Sequence, residues 1–183
     1  MRAEVPEPWR AFLAELNRAV PSKVQLHCLG GFVMIARYGR PRPTGDVDVL
    51  AVTPRDALKL LLALGGQGTP LHQQHRVYLD FVTVAAYPDN YELRLTEMFA
   101  GAFSKLRLFA LDAYDLALAK LERNSQRDRE DVFYLADRVP LDVKLLRQRY
   151  QEELRPYLGN PAREDLTLDL WVEAIEERRR GRG

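Results

Sequence analysis

Asp46 and Asp48 stand two residues apart in the run Asp46-Val-Asp-Val-Leu-Ala-Val52, which alternates as a half-buried strand does. Side chains two apart on a strand share a face, so the two carboxylates point one way while Val47 and Val49 point into the core. Like charges forced together repel, and a divalent cation with oxygen ligands, Mg²⁺ above all, resolves the repulsion. A plain alternative is that both acids line a solvated sheet face. The surroundings argue for chemistry. Gly30-Gly31 permits close backbone approach to a phosphate at the N-terminus of a helix beginning near Phe32, where open N–H groups favour anions. Arg40 and Arg42 flank the loop that follows and can add phosphate contacts. A third acid, Asp80, sits in the apolar run Tyr78-Leu-Asp-Phe-Val82, where an ionised carboxylate is expensive unless paired or liganded. Three carboxylates beside a phosphate cradle are the parts of a two-metal phosphoryl- or nucleotidyl-transfer site.

The elements that must hold these residues follow from periodicity. Trp9, Phe12, Leu13, Leu16 and Val20 recur at helical spacing over Pro8 to Val20. Val24, Leu26 and Cys28 alternate with polar neighbours, which predicts a strand running into the Gly30-Gly31 turn. A helix over Phe32 to Tyr38, stopped by Gly39, comes next. The loop Arg40-Pro-Arg-Pro-Thr-Gly45 then delivers the chain to the acidic strand. Thr53-Pro54-Arg55-Asp56 reads as an N-cap, a first-turn proline and a capping-box acid for a helix to Leu64. A turn over Gly65 to Pro70, a strand over Arg76 to Val84 and a fourth strand over Ser104 to Ala110 complete the first half. Beyond that the pattern is helical only. One helix is capped by Asp112 and reaches about Arg123, a second spans about Arg127 to Asp137, a third runs from Asp142 to Tyr157, and a fourth runs from Asn160-Pro161 toward Glu177. The expected division is an α/β module over 1–111 and a helical module over 112–183.

Composition narrows the function classes. With 183 residues, 46% of them hydrophobic and 29% charged, the chain has the make-up of a globular protein able to bury a core. Its longest apolar run, Ala57 to Leu64, is interrupted by Lys59 and falls short of the ~20 residues a membrane span needs. The acidic residues near the N-terminus do not resemble a secretion signal, and the single cysteine, Cys28, excludes an internal disulfide framework, so a cytoplasmic location and no membrane partner are expected. Basic and acidic residues balance at 27 to 26. That excludes a broad clamp on nucleic acid driven by phosphate neutralisation. His27, His72 and His75 lack metal-ligand spacing with other donors, and Cys28 follows the apolar face of its strand. Lys105 and Arg107, on one strand face, and the tail from Arg178 read either as a small RNA contact or as solvated surface, the latter being the better reading of the tail. Arg127 and Asp131, one helical turn apart, read as a surface pair or as part of a site.

The quoted residues resemble a known superfamily. Gly30-Gly31, a short helix and then Asp46-Val-Asp-Val49 are similar to the glycine pair and acidic strand of the DNA polymerase β-like nucleotidyltransferases. The fuller run from Tyr38-Gly-Arg-Pro-Arg-Pro-Thr-Gly-Asp46 onward is most similar to bacterial AbiEii- and MenT-type proteins, several of which are toxins of toxin–antitoxin pairs. Leu116-Ala-Leu-Ala-Lys-Leu121 and Arg127-Asp-Arg-Glu-Asp-Val132 resemble their lysine and Arg-Asp-x-x-Asp helices. The resemblance implies a small mixed sheet flanked by helices and followed by a C-terminal helical module, an α/β (α+β) fold. It implies Mg²⁺- or Mn²⁺-dependent transfer of a nucleoside monophosphate from a nucleoside triphosphate to a hydroxyl on RNA, protein or a small molecule. Asp46, Asp48 and Asp80 would be catalytic and metal-binding, with Asp80 taking the acceptor's proton. Gly30, Gly31, Arg40, Thr44, Lys120 and Asp131 would bind the nucleotide, and an antitoxin protein would be a partner. The competing expectation is a non-catalytic member of the same fold that acts as a binding or regulatory partner.

Overall fold

A computed structural model describes residues 4–181. The last two residues of the basic tail, 182 and 183, lie outside the described residues, as do 1–3. The chain divides into two compact units, 1–83 with 95–111 and 84–94 with 112–183.

The first unit is built on a mixed five-stranded sheet in the order β3-β2-β1-β5-β4. Its elements are α1 (Trp9–Ala19), β1 (Val24–Cys28), α2 (Gly30–Tyr38), β2 (Asp46–Thr53), α3 (Ala57–Gly65), α4 (Pro70–His75), β3 (Tyr78–Phe81), β4 (Thr96–Met98) and β5 (Leu106–Ala110). β1 runs parallel to β5 and antiparallel to β2, while β3 is parallel to β2. The apolar stripe of α1 buries Trp9, Phe12, Leu13 and Leu16 completely or nearly so. The Trp9 ring lies 5.4 Å from Phe32 of α2, and Gly65 closes α3 against Phe12, which leaves little room for a side chain there.

Several elements differ from the sequence expectation for identifiable reasons. Thr53 does not cap α3, because it pairs with Gln25 in the β1–β2 ladder; α3 begins at Ala57, and Asp56 makes no side-chain cap. α4 was not expected, although Thr69-Pro70 is its signal: Pro70 opens the helix and Thr69 Oγ1 accepts the His72 N–H at 3.3 Å. Arg76, with φ of 60°, ends that helix in the left-handed region, so β3 starts only at Tyr78. β4, three residues long and without alternation, gave no sequence signal and is held by pairing with β5.

The second unit contains α5 (Ala113–Leu118), α6 (Gln126–Arg138), α7 (Val143–Arg149), which continues through a wider turn to Tyr157, and α8 (Ala162–Arg180). α5 stops well short of Arg123. Tight bonds from Lys120 and Leu121 back three residues, followed by Asn124 at φ of 43°, turn the chain into α6. The segment 84–94 joins this unit through Arg94, which donates to both oxygens of the fully buried Asp115 at 2.9 and 3.0 Å and to Glu153. Arg149 adds bonds to Asp112 and Asp115. The basic tail is engaged: Arg178 pairs with Asp137, and Arg179 donates to the Leu141 carbonyl. No helix among the described residues is long and apolar enough to cross a membrane.

At the start of α6, Ser125 and Asp128 form a reciprocal capping box. Asp128, fully buried, also accepts two 2.7 Å bonds from Arg123. Burial alone would raise its carboxyl; the bonds from Arg123 and Ser125 and the Lys120 charge outweigh that and hold it well below the usual carboxylate range. A depressed native pKa stabilises the fold above the unfolded value, about 4, and the gain is lost as pH falls through the native one. Asp128→Asn is therefore expected to lower unfolding free energy at pH 7 by about 1.5–3 kcal/mol. It should also flatten the fall in stability on acidification below about pH 4, as read from denaturant midpoints across pH.

Candidate functional site

The acids are gathered by strand register. In the parallel β2–β3 pair, Asp48 stands opposite Asp80 and Asp46 opposite Tyr78, so all four side chains share one sheet face. Val47 and Val49 are buried on the other. Just past the acids the β1–β2 register slips between His27 and Cys28, and Val49 and Leu50 are both buried at this bulge.

The glycine turn sits directly on this acidic face. Leu29 donates its N–H to the Asp48 carbonyl at 3.1 Å, and Gly30 follows at φ of 71°. A Cβ on Gly30 would stand 1.7 Å from Asp48 Oδ2 and 2.7 Å from Cγ, so only glycine fits here without displacing the carboxylate. Gly31 is seated similarly on Thr44, whose Oγ1 would lie 3.1 Å from an added Cβ. Thr44 in turn donates its hydroxyl to Asp46 Oδ1. α2 thus begins against the acidic face, and its N-cap residue, Leu29, makes no side-chain cap; a helix start is the end that favours anions.

Of the expected site residues, the structure brings together Gly30, Gly31, Thr44, Asp46, Asp48 and Asp80. Arg40 follows the opposite end of α2 from the glycine pair. Lys120 and Asp131 belong to the second unit, where they face each other: Lys120, almost fully buried, donates to Asp131 at 2.9 Å and to Asp128 at 3.4 Å. Asp131 is itself fully buried, so it is not half of a surface pair with the exposed Arg127. The expectation that Asp80 is buried also fails. It is exposed on β3, and its place in the site rests on the register opposite Asp48.

Cys28 is fully buried beneath the acids; burial, reinforced by the Asp48 charge, pushes its thiol far up and makes it a packing residue. Lys105 and Arg107 are used within the fold, the first donating to the Val20 carbonyl at 2.6 Å and the second pairing with Glu97. Sequence reasoning passed over Tyr78. Burial and then the charges of Asp46, Asp80 and Asp48 raise its phenol, so it stays protonated among the three carboxylates. The parity that couples Asp46 with Asp48 couples Tyr78 with Asp80 and was the available signal.

Among the described residues no group of three His, Cys, Asp or Glu side chains is placed to hold a metal ion, so Asp46, Asp48 and Asp80 do not form a three-carboxylate site by themselves. The anionic donors on this face are carboxylate oxygens, with Asp48 and Asp80 in register. That set fits Mg²⁺, which is usually held by one or two carboxylates together with substrate phosphates and not by an all-protein cage.

The model of a family described as "Nucleotidyltransferase of unknown function" (DUF6036) matches residues 12–179. The chain belongs to this family. No curated protein and no solved structure matches it.

Gly30→Ala is expected to destabilise the protein by about 1–3 kcal/mol, the cost of a non-glycine residue in a strained left-handed position, and to push Asp48 off its place. Gly31→Ala, whose neighbour Thr44 can shift by tenths of an ångström, should cost less. Thermal melts of the two variants side by side check the order.

Proposed function

We propose that this protein transfers a nucleoside monophosphate from a nucleoside triphosphate to a hydroxyl acceptor, with Asp46, Asp48 and Asp80 as the working carboxylates. The observation that carries the reading is the Gly30 turn pressed against Asp48 on a sheet face shared with Asp46 and Asp80. Membership of a nucleotidyltransferase family supports it.

In this reading the start of α2 receives the phosphates, whose negative charge suits the positive end of the helix dipole. Asp46, oriented by the Thr44 hydroxyl, and Asp48, held in place by Gly30, would bind Mg²⁺ or Mn²⁺ together with Asp80. Such ions, when bound, neutralise charge on the phosphates during an in-line displacement. Asp80, being exposed, is the carboxylate open to an incoming acceptor and takes the proton of its hydroxyl. The acceptor oxygen forms a bond to the α-phosphorus as the bond to the bridging oxygen breaks, and pyrophosphate leaves. The acceptor class comprises RNA, protein and small molecules. The resemblance to AbiEii- and MenT-type proteins adds growth inhibition and an antitoxin partner to the proposal.

Asp48→Asn should lower Mg²⁺-dependent nucleotide affinity by at least about tenfold, as befits a lost interaction with a charged group, and abolish transfer of label from α-labelled nucleotide. A cooperative thermal melt checks that the variant remains folded, so that the loss is read as a loss of binding. Nucleotide binding equally tight in the parent and in Asp48→Asn, or indifferent to Mg²⁺ and Mn²⁺, would overturn the proposal. Metal-dependent binding without transfer to any component of a whole-cell extract would make the protein a nucleotide-binding regulator. If the toxin reading holds, expression of the parent slows growth and expression of Asp48→Asn does not.

A further inference from the structure

An in-line displacement places the incoming oxygen and the departing pyrophosphate on opposite sides of the α-phosphorus. Across the sheet, the glycine turn leaves β1 and meets the acids of β2 from one side, while β3 lies on the other. With pyrophosphate toward Gly30 and Gly31, the attacking hydroxyl arrives over β3. That strand ends the sheet, apart from a single bridge between Leu79 and Gly66, and two of its side chains share the acids' face: Asp80 opposite Asp48 and Tyr78 opposite Asp46.

Tyr78 is half-buried, and its ring is held. The His72 ring meets it at 4.8 Å and 62°, an edge-on contact. His72 is itself fixed, since its Nδ1 accepts the Gly68 N–H at 2.9 Å and its own N–H is tied to Thr69 at the start of α4. An aromatic ring fixed beside a reactive carboxylate, on the side from which the acceptor must come, is a platform against which a sugar or base can pack.

We propose that Tyr78 is the acceptor-positioning side chain of this site, with His72 setting its orientation, and that the acceptor is a ribose-bearing molecule whose attacking hydroxyl is delivered across β3 to Asp80. The proposal rests on the nucleotidyl-transfer reading above. RNA ends and free ribonucleosides offer the same chemistry and are the two acceptor arms of the test.

The parent, Tyr78→Phe, Tyr78→Leu and His72→Ala are each incubated with Mg²⁺ and α-labelled ribonucleoside triphosphates, with total RNA in one arm and mixed ribonucleosides in the other. Nucleotide affinity is measured separately by titration. Tyr78→Leu, which keeps bulk but loses the flat ring, should lower kcat/KM for the acceptor by about tenfold or more, the loss of one stacked group. Its nucleotide affinity should stay within about twofold of the parent, which also shows that it is folded. Tyr78→Phe should stay close to the parent, and His72→Ala should fall between them through a raised acceptor KM. Labelling in only one arm identifies the source of the ribose. Equal acceptor kinetics in the parent and Tyr78→Leu, or a parallel loss of nucleotide affinity, overturns the proposal. So does a parent that binds nucleotide with Mg²⁺ yet labels neither arm, an outcome that leaves the nucleotide site standing. No metal-dependent nucleotide binding at all overturns the nucleotidyl-transfer reading itself.

Discussion

The contact on which the first unit's chemistry depends is between a backbone and a carboxylate. Gly30 lies so close to Asp48 that the space of one methyl group separates a seated acid from a displaced one. The Leu29 N–H bond to the Asp48 carbonyl locks the same two segments through the main chain. Together they fix where β1 ends, where α2 begins and which way the Asp48 side chain points. The slip in the β1–β2 register just beyond allows β2 to keep both acids on one face while still burying Val49 and Leu50.

Electrostatics in this unit centre on a sheet face that gathers three carboxylates and a phenol. Asp46 receives one hydrogen bond from Thr44, and the protonated Tyr78 phenol stands among the acids without cancelling them. In the second unit the buried acids are held by cations: Asp115 lies between Arg94 and Arg149, and Asp128 and Asp131 share Lys120. Buried carboxylates matched by cations are what folding requires. Acids gathered beside a helix start suit a charged ligand.

How much was legible in the sequence follows from what sets each feature. β1 and the start of β2 could be read to the residue because alternation and the flanking glycines are local properties. α7 announces itself by its Asp142 cap and α8 by Pro161 at its start, whereas the Ser125 cap of α6 went unread and that helix was placed only approximately. The mistaken cap at Thr53, the short β3 and the unannounced β4 all come from ladder pairing, which is decided by a distant strand. Within the site, Asp46 and Asp48 were visible as a pair by parity. Asp80 was selected for burial it does not have, and Tyr78 was missed because register across strands is not written in either strand alone. The glycines were read as room for a phosphate; what they make room for in the fold is Asp48 and Thr44.

The placement of 84–94 with the helical unit means that the chain passes from one unit to the other at three points, after residues 83, 94 and 111. No single cut yields two intact pieces. A fragment ending at 111 carries an eleven-residue stretch whose partners are elsewhere, and one starting at 112 strips Asp115 of its Arg94 bonds and leaves a buried acid held by Arg149. The acidic sheet is thus not a cassette that can be moved between proteins or exchanged for another by joining ends. A split of the chain that keeps each unit's residues together has to carry 84–94 with the helical unit.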